Sequence, residues 1–189
     1  MLKELILKNR SYRRFDESKK VSREELLELV NLARLSPSAA NRQPIKYYLS
    51  SDQQTNKKIF STLAWAGYLK DWKGPAEGER PSAYIVILGD KNISENFNVD
   101  PGIAAQSILL GATEKGLGGC MFGSVAREKL RELLDIPSQY EILYVLALGY
   151  PAEKVQIDDI DENGDIKYWR DENQVHHVPK RSLSEIVIS

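Results

Sequence analysis

The sequence is short of cysteine, of histidine and of net charge. Cys120 is the one cysteine among 189 residues, so no intrachain disulfide can form. That usage fits a reducing compartment, and the cytoplasm is expected. Two histidines, His176 and His177, stand side by side with no third ligand at a metal-binding spacing. Twenty-six Lys+Arg balance 27 Asp+Glu, a net charge of -1. A dedicated nucleic-acid binder usually carries a strongly basic face, so that class is set aside. The longest apolar runs, 84–88 and 142–148, fall far short of the roughly 18 residues of a membrane span. The N-terminal residues alternate charged with apolar side chains and lack the apolar core of a signal peptide.

What remains is a globular composition, with 42% hydrophobic and 28% charged residues. The length suits one domain over residues 1–189 with a sizeable core. Leu2, Leu5 and Ile6 recur at helical spacing, which predicts a short helix over 2–9. Ser22 and Glu25 form a capping box for a helix that stops before Pro37. Ile45–Ser50 reads as a strand and Gln53–Leu63 as a helix. Residues 69–81 hold two glycines and two prolines and read as an irregular connection. Ser82–Leu88 is a buried strand. Asp100-Pro101 reads as an N-cap followed by proline at N1, opening an apolar helix to about Lys115. A short strand to Phe122, a helix over Ala126–Leu134 and a second buried strand over Tyr140–Gly149 follow. Helices alternating with few, unevenly spaced strands fit an α+β or mixed α/β architecture, with a small sheet and helices over it.

The segment after Pro151 is too polar to build its own core. It reads as an extended arm over 151–189 that must lie on something else, and Asn163-Gly164 signals a hairpin turn in it. Asp159 onward mimics the start of a calcium loop, but Arg170 stands where the bidentate Glu should be.

Three segments could carry chemistry. Arg10-Ser11-Tyr12-Arg13-Arg14 lies within a stretch of seven Lys/Arg and three acids over residues 1–20. Arginine offers charge-assisted, bidentate hydrogen bonds to phosphate, and a serine hydroxyl adds a donor. A solvated basic turn is the alternative. The loop Ser36–Pro44 combines small residues, which allow close approach of backbone to a flat ligand, with the amides of Asn41 and Gln43. Gly116–Gly123 is not a dinucleotide fingerprint: it follows a helix, and Met121 stands where its last glycine belongs. Cys120 has no activating neighbour in the sequence and reads as a packing residue.

Taken in order along nearly the whole chain, these segments resemble the nitroreductase family of FMN-dependent oxidoreductases. The resemblance continues through Asp100–Gln106, Leu109–Ala112, Gly116–Cys120, Arg127–Ile136, Leu146–Pro151 and Pro179–Ile186. It implies that Arg10, Ser11, Arg13 and Arg14 hold the FMN phosphate and ribityl end, with Arg13 reaching the flavin N1/O2 edge. It implies that Pro37, Ser38, Ala39, Asn41 and Gln43 come from a partner subunit and line the flavin. Backbone at Cys120, Met121, Phe122 and Gly123 would pass along the isoalloxazine face. Lys180 or Arg181 would close the phosphate site. The resemblance implies an α+β nitroreductase-like fold, a small, mixed, mostly antiparallel sheet flanked by helices with an extended C-terminal arm, and a homodimer with FMN at the interface. The chain departs from the family at Ile45, where an aromatic residue is common, and at Met121 and Phe122, often Trp and Ile.

Trp65, Tyr68 and Trp72 are spaced three and four apart, so a shared helix face is predicted. They fall in the family's variable substrate-covering region, which implies a lid over the flavin. The function expected from the resemblance is ping-pong hydride transfer from NAD(P)H through flavin N5 to a planar small-molecule acceptor: a nitroaromatic, a quinone or an activated alkene. The flavin performs the chemistry, so no catalytic base or nucleophile is assigned. Two alternatives stand beside it. One is a flavin-binding redox sensor or FMN store without turnover. The other is a reductive dehalogenase of the same fold, whose Glu, Tyr and Lys lid set does not map onto this chain.

Overall fold

The computed structural model describes residues 1–161 and 164–188. The chain opens with α1 (Leu2–Lys8), then α2 (Arg23–Leu35) and a single 3-10 turn at Ala39–Asn41. Next come β1 (Ile45–Ser50), α3 (Gln53–Phe60), β2 (Ala83–Asp90) and α4 (Asp100–Glu114). β3 (Gly118–Phe122), α5 (Arg127–Leu134) and β4 (Tyr140–Gly149) complete the body. The arm carries β5 (Val155–Asp159), β6 (Trp169–Arg170), β7 (His176–Lys180) and the short helix α6 (Leu183–Ile186).

The central sheet has the order β1-β2-β4-β3, and its neighbours are all antiparallel. Its two middle strands are buried on both faces, so they read as unbroken apolar runs. The alternation of side chains sends Ile85, Ile87, Leu146 and Leu148 to one face. There they meet Leu26 and Leu29 of α2 and Ala105 and Ile108 of α4. Tyr84, Val86, Val145 and Ala147 face the other way, onto Ile59 of α3 and Leu130 and Leu134 of α5. The result is an α+β architecture of helices on both faces of an antiparallel sheet.

The capping box at Ser22 forms as expected, with Ser22 Oγ accepting from Glu25 N and the Glu25 carboxylate accepting from Ser22 N. Asp100 does not cap α4. It is the first helical residue, and its carboxylate accepts instead from Ser38 Oγ at 2.5 Å and from the Ala39 N–H at 2.9 Å.

Two further expectations need correction. Trp65, Tyr68 and Trp72 share no helix: α3 ends at Phe60, and residues 65–72 are turns and irregular chain. Trp65 instead packs edge-on against Phe122 and Trp72, with ring centroids 4.6 and 6.2 Å apart, which places it at the margin of the core. The arm is also not merely extended. It folds into a three-stranded sheet, order β5-β7-β6, with β5 and β7 parallel. Asn163 of the expected hairpin turn lies outside the described residues.

Candidate functional site

The basic motif follows α1 and runs along the free edge of β3. Ser11 bridges Gly119, and the Tyr12 N–H donates to the Gly119 carbonyl at 3.0 Å. This approach requires the glycines of β3. A Cβ on Gly118 would stand 2.5 Å from the Tyr12 ring and 2.7 Å from Pro151. A Cβ on Gly119 would stand 2.4 Å from Leu109.

A cleft of about 360 Å³ opens along this edge. Arg10, Ser11 and Arg13 form one wall, Gln106 and Leu109 of α4 the floor, and Gly119 and Met121 the strand side. The arm supplies the opposite wall through Tyr168, His176 and Lys180. Three cations therefore face one space without a carboxylate in its lining. Arg10 spends one N–H on the Ile6 carbonyl at 2.8 Å, and its buried Nε has no partner. Ser11, Arg10 and Lys180 are all donors, which is the set an anionic phosphate needs.

Arg13 is held from both sides. Its guanidinium lies 4.5 Å above the Tyr168 ring, and its Nη1 stands 2.9 Å from His176 Nε2. Arginine carries no acceptor, so His176 accepts there and is neutral. Burial pushes the His176 pKa down to about 4, helped by the positive charges of Arg13 and Arg170. Adjacent residues of a strand point to opposite faces, and His177 indeed turns away. It bonds to Asp158 through Nδ1 at 2.6 Å and stacks on Trp169.

The backbone of the motif is fixed by Glu153. Its carboxylate accepts from the N–H groups of both Arg13 and Arg14 and pairs with Arg170 at 2.8 Å. Arg170 in turn stacks over Trp72, 4.3 Å from the ring centroid. Glu153, Arg170, His176 and Tyr168 all lie in the arm and were not singled out in the sequence as site residues. Their signal was the acidic, aromatic character of the arm facing a basic N-terminal segment, but no spacing pairs them.

Other expected residues are placed elsewhere. Arg14 points away from the cleft, toward Glu79 at 3.4 Å and the Trp72 ring. Arg181 bonds to Glu185 and does not line the cleft, whereas Lys180 does. The side chains of Cys120 and Phe122 turn into the core on the α3/α5 face, and burial raises the Cys120 pKa to about 11, so it is an inert thiol. Gly123 lies beyond the strand, near Tyr144.

The second loop is remote from this cleft within one chain. Pro37, Ser38 and Gln43 line a separate hollow of about 190 Å³, and Ala39 lines another of about 170 Å³. Both hollows include Asp100, six to nine residues from Gln106 and Leu109, or roughly 9 to 14 Å along a helix. Ala40, Asn41 and Gln43 adopt left-handed backbone, with φ of 50°, 52° and 53°. Three such non-glycine residues in a row of four store strain that an ordinary connection would avoid. Ser38 offsets part of it, since its hydroxyl accepts from Gln43 N at 2.9 Å while donating to Asp100. Of the aromatic trio, Tyr68 alone remains exposed, with its ring 4.9 Å from that of Tyr168.

The fold is an α+β sheet of antiparallel strands with helices on both faces, and a cationic cleft lies at its β3 edge. Residues 6–150 match the model of the nitroreductase family, and the chain belongs to that family of oxidoreductases. A protein of Archaeoglobus fulgidus, described as a candidate NADH dehydrogenase/NAD(P)H nitroreductase, is 29% identical over 166 residues, covering 84% of this chain and 90% of that one. A crystal structure titled FMN-dependent nitroreductase from Clostridium difficile superposes with a TM-score of 0.64 at 25% identity, over 79% of this chain and 87% of that chain. The nitroreductase family protein of Streptococcus pneumoniae shares the fold over the full length of both chains, with a TM-score of 0.73 at 16% identity. No helix among the described residues is long and apolar enough to cross a membrane.

Proposed function

We propose that this protein is an FMN-dependent NAD(P)H oxidoreductase working by a ping-pong cycle on a planar acceptor such as a nitroaromatic, a quinone or an activated alkene. The observation that carries this reading is the cleft in which Arg10, Ser11, Arg13 and Lys180 converge beside the glycine-rich edge of β3. A cationic lining without a carboxylate, with an orphaned Arg10 Nε, fits the phosphate of FMN. The relative from Clostridium difficile named for FMN supports the same cofactor.

When bound, FMN supplies reversible acceptance of two electrons as hydride from NAD(P)H and their delivery to the acceptor. The protein's part is binding, orientation and electrostatics. Arg10, Ser11 and Lys180 would anchor the phosphate. Arg13 places a permanent positive charge in the cleft, and such a charge beside the ring edge stabilises an anionic reduced form. Neutral His176 and the Tyr168 face keep that guanidinium in place without cancelling its charge. Met121 and Gly119 offer a flat, apolar flank.

The strained loop at residues 37–43 would complete the site if it came from a second copy, because within its own chain it lines other hollows. Exposed Leu27, Leu32, Leu35, Leu183 and Ile186 leave apolar surface on α2 and α6 that a second copy would cover. The test is anaerobic mixing of the FMN-loaded protein with NADH or NADPH, followed by addition of a quinone. Bleaching and then recovery of the flavin absorbance is expected. A protein that ignores added FMN overturns the reading.

A further inference from the structure

A second hollow lies outside the flavin cleft and shares no lining residue with it. It sits where the segment after α3 returns to the sheet at Arg80–Ser82, closed by Lys57 and Phe60 of α3 and by the turn holding Glu17 and Lys20. We propose that it is a binding site for one small tetrahedral oxyanion, either free phosphate or the phosphate end of a phosphomonoester.

Three cations line it, Lys20, Lys57 and Arg80, against one acid, Glu17. Among the described residues none of the three pairs with a carboxylate. The Glu17 carboxylate accepts from the Gly78 N–H at 2.6 Å, and its charge also reaches the Tyr84 phenol. Lys20 donates only to the Glu17 carbonyl, at 2.9 Å. Arg80 lies 4.6 Å over the Phe60 ring, which leaves its N–H edge free to donate.

The independent observation is a set of orphaned polar groups. Tyr84, 0% exposed, and Ser82 both line the hollow, and both hydroxyls are buried without a hydrogen-bond partner. The buried Nε of Arg80 lacks one too. Buried polar groups are almost always paired, so each calls for a missing partner. All three can donate, and what they lack in common is an acceptor. Burial holds the Tyr84 phenol protonated, hence a donor. The hollow measures about 80 Å³, room for roughly two to three waters, which is also the scale of one tetrahedral oxyanion. Water could meet the donors, but it would leave the cations without a counter-charge. A bound anion would tie α3, the 17–20 turn and the root of the 61–82 segment together.

The experiment titrates inorganic phosphate into the full-length protein at constant ionic strength, with chloride as the balancing ion, and reads calorimetry and thermal unfolding. Lys180→Ala, Lys57→Gln and Tyr84→Phe are run in parallel. Lys57 is exposed, so its replacement leaves folding intact. The expected result is saturable binding that is unchanged in Lys180→Ala. It should weaken about tenfold in Lys57→Gln and in Tyr84→Phe, the scale of one lost charge-assisted hydrogen bond. Phosphate binding that weakens in Lys180→Ala and is unchanged in the other two variants overturns the proposal, since the ion is then in the cleft. Stabilisation matched by chloride alone also overturns it. Glycerol phosphate binding more tightly than inorganic phosphate identifies an ester as the occupant, and the reverse order identifies the free ion. Neither result depends on FMN, so this site and the flavin reading can fail separately.

Discussion

Glu153 and Arg170 form a buried ion pair, 2.8 Å apart, with side chains only 1% and 8% exposed. Its position matters more than its strength. The second oxygen of Glu153 receives the backbone N–H groups of Arg13 and Arg14, so the pair clamps the arm onto the basic motif.

Glu153→Gln should therefore damage both stability and binding. It leaves Arg170 buried without its counter-charge, a change that typically costs about 3–5 kcal/mol. Urea unfolding measures the first effect, and FMN affinity the second. Glu153→Gln combined with Arg170→Met should recover most of the stability. A double variant as unstable as the single one would show that the Arg170 charge is not the source of the loss.

Arg13→Ala should weaken FMN retention and lower the reduction potential of the bound flavin, because it removes the one cation held rigidly in the cleft by Tyr168 and His176. Spectroelectrochemical titration of the loaded protein checks the second effect. An unchanged potential would place Arg13 away from the ring edge.

Lys180 and Arg181 should separate cleanly. Lys180→Ala should raise the FMN dissociation constant by about tenfold, the scale of one lost charge-assisted hydrogen bond. Arg181→Ala should leave it within error, since Arg181 bonds to Glu185 on the surface. Fluorescence quenching of FMN reads both, and equal effects would contradict the geometry.

His176 should make the protein acid-sensitive. Its folded pKa of about 4 lies below the ordinary value of 6.5, so the unfolded chain binds the extra proton first. Stability contributed by the neutral ring is full above about pH 6.5 and is lost as pH falls toward 4. Thermal unfolding across that window should show a steeper decline for the wild type than for His176→Gln. Parallel curves would exclude this histidine as the source.

Gly118→Ala should destabilise the protein by roughly 1–3 kcal/mol, as overpacking does. The new methyl meets the Tyr12 ring and Pro151 and must push the motif off the β3 edge. FMN affinity should fall with it. A variant of normal stability and affinity would mean that the edge is more yielding than its packing indicates.

Much of the body of the fold was legible in the sequence because its signals are local. Tyr140–Gly149, an apolar run, and Ile45–Ser50, with its weak alternation, appear as strands at the expected bounds, since neither pattern needs a distant partner to be read. The capping box at Ser22 is likewise a contact among near neighbours. The aromatic spacing of Trp65, Tyr68 and Trp72 misled, because a three-and-four pattern means a helix only where the chain is helical. Glycine- and proline-rich flanks and the pull of Phe122 and Arg170 decided otherwise.

The sequence by itself determined the alternation of helices and buried strands, the basic motif at residues 10–14 and the polarity of the arm. These follow from side-chain chemistry and periodicity within a few residues. Only the tertiary structure decided that Arg13 faces the cleft while Arg14 turns to Glu79, and that Lys180 rather than Arg181 joins it. It alone set Glu153, 140 residues from Arg13, on the Arg13 and Arg14 backbone. Those contacts depend on which edge of the sheet the arm returns to, and no local pattern in the chain encodes that distance.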